Sequence, residues 1–155
     1  MLSRIADDHV KDASGRRQSR LMPRYSLGEG MIESFLNAAQ RHFDDAELLR
    51  QETRRDGAGH HYGVAGECAV KAVCVEEANT RPSRHFDVSP DKDLRVFAHP
   101  HLGGRKGLPI QVVLPSLFVG WSIHDRYAAT GHTSALQVEQ WRADAQRVLN
   151  LMQGL

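Results

Sequence analysis

Apolar residues fall into three long helical stretches separated by one broken segment. In the first, Ile32, Phe35, Leu36, Ala39, Phe43, Ala46 and Leu49 recur at three- and four-residue intervals, while Arg41, Asp44, Asp45, Glu47 and Arg50 occupy the other side. That stripe predicts an amphipathic helix over about 29–53. Ser26-Leu-Gly-Glu29 has the form of a capping box at its start, and Asp56-Gly57-Ala-Gly59 reads as the breaker at its end. The second stretch, about 59–79, is apolar on both sides: Tyr62, Ala65, Gly66, Ala69, Val70 and Val73 on one, Val64, Cys68, Ala72 and Val75 on the other. A helix apolar nearly all round belongs at the centre of a bundle, and its small residues allow neighbours to approach closely. Glu67 and Lys71 stand four apart with the acid first, the favourable order for a pair within a helix. Thr80-Arg-Pro82 closes this stretch. The third is opened by a second capping box, Ser134-Ala-Leu-Gln137, and carries Val138, Trp141, Ala145, Val148, Leu149 and Met152 at helical spacing.

Between the second and last helices, Pro82, Pro90, Pro100, Pro109 and Pro115 exclude a long uninterrupted helix. Residues 91–101 suit a short helix, with Leu94, Phe97 and Ala98 on one side. Gly103-Gly104-Arg-Lys-Gly107 reads as a flexible loop, and residues 109–119 as a helix begun by Pro109, with a short buried strand as the alternative. The sum is an all-α bundle of four to five helices in up-and-down order with an irregular, Pro-rich middle. Residues 1–25, polar and carrying Arg16, Arg17, Arg20 and Arg24, read as a disordered basic tail ahead of a helical domain over 26–155.

Composition adds mainly exclusions. A chain of 155 residues suits one domain. Twenty Lys+Arg against 19 Asp+Glu leave a formal charge of +1, so no strong overall field draws nucleic acid or anionic membrane. No stretch reaches the roughly 20 apolar residues of a membrane span, and the start of the chain lacks a signal-peptide core, so a cytoplasmic protein with no membrane partner is expected. Cys68 and Cys74 are the only cysteines, which excludes a disulfide scaffold and a four-cysteine zinc site.

Two motifs carry a family resemblance. The first is Ala39-x-x-His42-x-x-Asp45-Ala46-x-x-Leu49. The second is His61-Tyr62-Gly-Val-Ala-Gly66-Glu67-Cys68-Ala69-Val70-Lys71-Ala72. Together they resemble the HEPN superfamily of prokaryotic helical bundles, over about 29–79 and, through Trp121-Ser-Ile-His-Asp-Arg126-Tyr127, over 121–152. The resemblance implies a bundle that is commonly a homodimer, from a bacterial or archaeal host. Many members are toxins or defence proteins that cleave RNA without a metal, through an R-x4-6-H motif. Others are non-catalytic and bind a nucleotide, RNA or a partner protein, such as a cognate antitoxin or a nucleotidyltransferase. No cofactor is implied.

Arg126 and His132 form R-x5-H just before the last helix. In the enzymatic case His132 does acid–base work on a ribose hydroxyl or leaving oxygen, and Arg126 clamps the phosphate charge. Glu67, Lys71 and Tyr127 are the candidate substrate-binding residues beside them. A pair within the family's R-x4-6-H range also occurs at Arg4/His9, Arg54/His60, Arg55/His61 and Arg95/His101, so position alone singles out Arg126/His132. Tyr127 stands where active members carry a small polar residue, and Gly131 puts His132 on a loop. The competing readings are structural: Arg126 capping a helix end or stacking on an aromatic ring, and Glu67–Lys71 as a partly buried ion pair. For metals, His60-His61, His99-Pro-His101, His124 and His132 match no ligand spacing along the chain, and no metal site is expected from them.

Overall fold

The computed structural model describes residues 27–155, with side chains described from Ser34. The tail over 1–25, Arg4/His9, the capping box Ser26–Glu29 and the Ile32 side chain lie outside the described residues. Among the described residues five α-helices follow one another: α1 (Leu27–Gln51), α2 (Arg55–Ala78), α3 (Leu94–Ala98), α4 (Gly104–Val113) and α5 (Ala135–Met152), with 3₁₀ turns at His99–His101, Leu114–Ser116 and Ile123–Tyr127. Among the described residues the only β pairing is a single bridge between His85 and Asp93. The architecture is an all-α bundle, as the periodicity predicts. No described helix is long and apolar enough to cross a membrane.

Helix α2 is the axis of the molecule. It buries Tyr62, Ala65, Ala69, Val70, Val73 and Cys74 completely, and α1, α4 and α5 all pack on it. From α1 come Ala39, Phe43 and Ala46, with Phe35, Leu36 and Leu49 at the margin of the core. From α5 come all six residues of the predicted stripe, Val138 to Met152. The second capping box forms as expected: Ser134 Oγ accepts from Gln137 N–H at 3.1 Å, and Gln137 Oε1 accepts from Ser134 N–H at 2.9 Å.

Helix α1 ends earlier than its sequence suggests. The chain turns at Thr53, which takes a left-handed φ of 59°, and Arg54 N–H closes back on Leu49 carbonyl at 2.8 Å. A β-branched residue in this region is sterically costly, so no local rule places the turn there. Asp56-Gly57-Ala-Gly59 is not a breaker but the first turn of α2. Gly59 serves close approach, since a Cβ there would press on the Trp141 ring, whereas one at Gly57 would meet only the end of the Leu49 side chain. At its far end α2 stops at Asn79, whose left-handed φ of 48° turns the chain: Asn79 N–H reaches Val75 carbonyl at 3.0 Å, an αL closure, and Thr80 N–H reaches Cys74 carbonyl at 3.1 Å.

The middle segment also departs from expectation. Gly103-Gly-Arg-Lys-Gly107 is the start of α4, so Pro109 lies inside that helix instead of opening it. The first turn of α4 is tied to the C-terminal acids of α2: Lys106 N–H donates to Glu77 at 3.3 Å and its ammonium to Glu76 at 2.8 Å. Gly104 has φ of 69°, and a Cβ there would collide with the Glu77 carboxylate. Elsewhere, side chains bonded to backbone replace periodic packing. Arg95 donates to the carbonyls of Leu117 (3.0 Å), Phe118 (3.2 Å) and Asp87 (2.9 Å) while paired to Asp93 at 2.8 Å. Asp144 on α5 accepts from Phe118 N–H at 2.8 Å.

Candidate functional site

Two cavities flank the segment that carries Arg126 and His132. The first, of ≈ 590 Å³, lies at the turn between α1 and α2 and is lined by Thr53, Arg54, Arg55, Asp56, Gly57, Thr130, Gly131 and Thr133. Asp56 is already engaged there. It accepts from Gly131 N–H at 2.7 Å and Thr133 N–H at 2.8 Å, and these backbone donors hold its carboxyl below the ordinary value. The second, of ≈ 380 Å³, is walled by Arg84, His85, Asp87, Asp91, Lys92, Ile123, His124 and Arg126. It gathers three permanent cations and two histidines against two carboxylates. Of the acids, Asp87 takes Ser89 N–H at 2.9 Å, the main cause of its lowered pKa, and lies 3.4 Å from His124 Nε2. Arg84 donates to Asp91 carbonyl at 2.6 Å and stacks over Phe97. The Lys92 ammonium has no hydrogen-bond or ion-pair partner among the described residues.

Of the predicted pair, only Arg126 lines a cavity. Arg126 lines the second cavity, and its guanidinium lies 4.8 Å over the Tyr127 ring. His132 lies on the loop before α5, after Gly131 at φ 87°, with Nε2 3.9 Å from Asp125 Oδ1. Its chain neighbours Gly131 and Thr133 belong to the first cavity. Tyr127 is exposed and lines neither cavity.

Glu67 and Lys71 lie behind the second cavity, only 2% and 8% exposed. Glu67 Oε2 lies 2.9 Å from His85 Nδ1 and 3.8 Å from the Lys71 ammonium, while Oε1 accepts from Phe86 N–H at 2.7 Å. Burial pushes the Glu67 carboxyl above the ordinary value, although each of these partners pulls it down. The carboxylate thus fastens the segment after α2 to that helix and orients His85, a wall residue of the cavity.

Three of the wall residues, Arg84, His85 and Lys92, carry no sequence signal; they sit in the Pro-rich segment and reach the cavity only through its fold. On the α1–α2 hairpin the structure also brings together His42, Asp45 and His61, whose ligating atoms all lie within 4.8 Å of one another. A signal for that group exists in the sequence. His42 and Asp45 are three apart on one helical face, and Asp45 and His61 are equidistant along the chain from the turn at Thr53. No family model, no curated protein and no solved structure matches this chain. Fold and cavity by themselves define a class, an all-α bundle with a basic pocket at one edge.

Proposed function

We propose that this chain is a HEPN-like helical module that binds the phosphates of RNA or of a nucleotide in the cavity walled by Arg84, His85, Lys92, His124 and Arg126. The observation that carries this reading is the gathering of three permanent cations, Arg84, Lys92 and Arg126, in one concave site against Asp87 and Asp91, where the other cavity holds two, Arg54 and Arg55, against Asp56. Guanidinium groups offer forked donors that match phosphate oxygens, and an ammonium adds a compact charge. Arg126, the arginine of the R-x5-H motif, is part of that wall. His132 is not, and its nearest ionic neighbour is Asp125. The arrangement therefore favours holding a phosphate over breaking a phosphodiester bond. A homodimer in the bacterial or archaeal cytoplasm, acting beside an antitoxin or nucleotidyltransferase, fits this reading.

The test is fluorescence anisotropy of a labelled single-stranded RNA, and separately of ATP as competitor, across a salt series with EDTA present. Wild type should bind with an affinity that falls as salt rises. Arg126→Gln and Lys92→Gln should each weaken binding and flatten the salt slope by about 0.7, the share of one phosphate contact on a single strand. Binding that both substitutions leave unchanged refutes this site.

A further inference from the structure

Helices α1 and α2 form an antiparallel hairpin, and on one side of it the chain sets two imidazoles and a carboxylate facing one another. His42 and Asp45 project from one face of α1, three residues apart, and His61 meets them from α2. His42 Nδ1 and His61 Nδ1 are 3.0 Å apart, and the rings lie 5.2 Å between centroids with 36° between their planes. All three side chains are half-buried, shielded by the hairpin yet reachable from solvent.

From this geometry we infer that His42, Asp45 and His61 form a binding site for one divalent transition-metal ion, of the zinc, cobalt or nickel kind. Two nitrogens bound at about 2.0–2.1 Å to one ion stand roughly 2.8–3.4 Å apart for angles between 90° and the tetrahedral value. The 3.0 Å between His42 Nδ1 and His61 Nδ1 lies within that range. Two imidazoles and a carboxylate form a borderline donor set that suits these ions better than calcium or magnesium, which prefer oxygen alone. Helical bundles build metal sites in this way, with an acid and a histidine three apart on one helix facing ligands on another. Three protein ligands leave a further position for water.

His60, the next ring along, stacks on Trp121 at 6.1 Å with 21° between planes and meets the His61 ring edge-on at 5.6 Å, but it is not one of the three side chains whose ligating atoms converge. The cluster is thus a set of three, separate from the basic cavity, and its occupancy does not depend on phosphate binding there.

The test uses the untagged full chain, stripped with EDTA, dialysed, and titrated with zinc chloride and with cobalt(II) chloride. The expected result is one ion per chain, with visible cobalt d–d bands. Asp45→Asn and His61→Ala should each weaken binding by at least about tenfold, since loss of an outer-shell partner alone costs that much. A His99→Ala/His101→Ala double variant should bind like wild type. If a hairpin variant fails to fold by circular dichroism, imidazole nitrogen shifts in the wild-type chain decide the matter. Zinc must then move the His42 and His61 signals and leave His99 and His101 in place. Binding well below one ion per chain, binding indifferent to Asp45→Asn, or shifts confined to other histidines overturns the site. In that case the 3.0 Å contact is a hydrogen bond between two rings and nothing more.

Discussion

A methyl group added at Gly63, midway along α2, tests how the central helix is packed. A Cβ there would fall within the Trp121 indole, overlapping Cε2, Nε1 and Cδ2. The ring has nowhere to go at small cost. Trp121 is fully buried, donates from Nε1 to Gly59 carbonyl at 2.9 Å, and meets Phe86 edge-on at 6.1 Å. Alanine in place of glycine within a helix brings a gain of about 1 kcal/mol. Against it stand about 1–3 kcal/mol for overpacking and about 1–3 kcal/mol for stranding the Gly59 carbonyl once the indole shifts. Gly63→Ala should therefore destabilise the chain by about 3 kcal/mol, the middle of that range. Gly57→Ala is the counterpart. Its new Cβ would meet only the Leu49 Cδ1 end at 3.1 Å, a flexible tip, so the propensity gain should win and stability should rise by up to about 1 kcal/mol. Urea denaturation followed by tryptophan fluorescence and by circular dichroism measures both. A Gly63→Ala chain as stable as wild type would refute the claim that glycine admits Trp121 to the α2 surface.

Other expectations concern the charged groups that join the helices. Glu47 on α1 accepts from Tyr62 hydroxyl on α2 at 2.5 Å and from Arg142 on α5 at 2.6 Å and 3.1 Å. Glu47→Gln should cost about 1–2 kcal/mol in urea denaturation, the worth of charge-assisted bonds at a partly exposed site. The Arg142 hydrogen bond is the first cause holding the Glu47 carboxyl below its ordinary value of 4.5. The stability it contributes is present above 4.5 and lost as pH falls through the lowered folded value, so the acid limb of the pH profile should flatten in Glu47→Gln. Glu67 has the opposite sign. With its pKa raised by burial, the folded chain binds the proton more tightly, and stability should decline as pH rises from 4.5 through the raised folded value. Glu67→Gln retains an acceptor for Phe86 N–H, and denaturation curves measured from pH 4.5 upward should lose that decline.

What the sequence reveals about this fold follows from where periodic burial sets the structure. Helices α1 and α5 are legible because each buries a stripe at 3.6-residue spacing and α2 because it is apolar nearly all round, and the Ser134–Gln137 box marks the start of α5 to the residue. The turn at Thr53 is not legible, because its left-handed backbone is imposed by the packing of the two helices it joins, and of the glycines that imitate a stop, Gly59 is there to admit Trp141. The middle is opaque for a related reason: Arg95, Glu67 and Asp144 hold it by reaching backbone groups far along the chain, a pattern without period. The same division applies to the cavity. Arg126 is found by its place before the last helix, whereas Arg84, His85 and Lys92 reach it only through this long-range bonding.

The central claim is a phosphate-binding cavity that holds its ligand without cutting it. The most direct measurement incubates total RNA and tRNA with wild type, Arg126→Ala and His132→Ala in EDTA, each confirmed folded, and reads retention and fragment length in the same samples. The binding reading predicts intact RNA throughout, retained by wild type and His132→Ala and released by Arg126→Ala. RNA cut by wild type and left whole by both variants would contradict it and make Arg126 and His132 the machinery of a metal-independent ribonuclease.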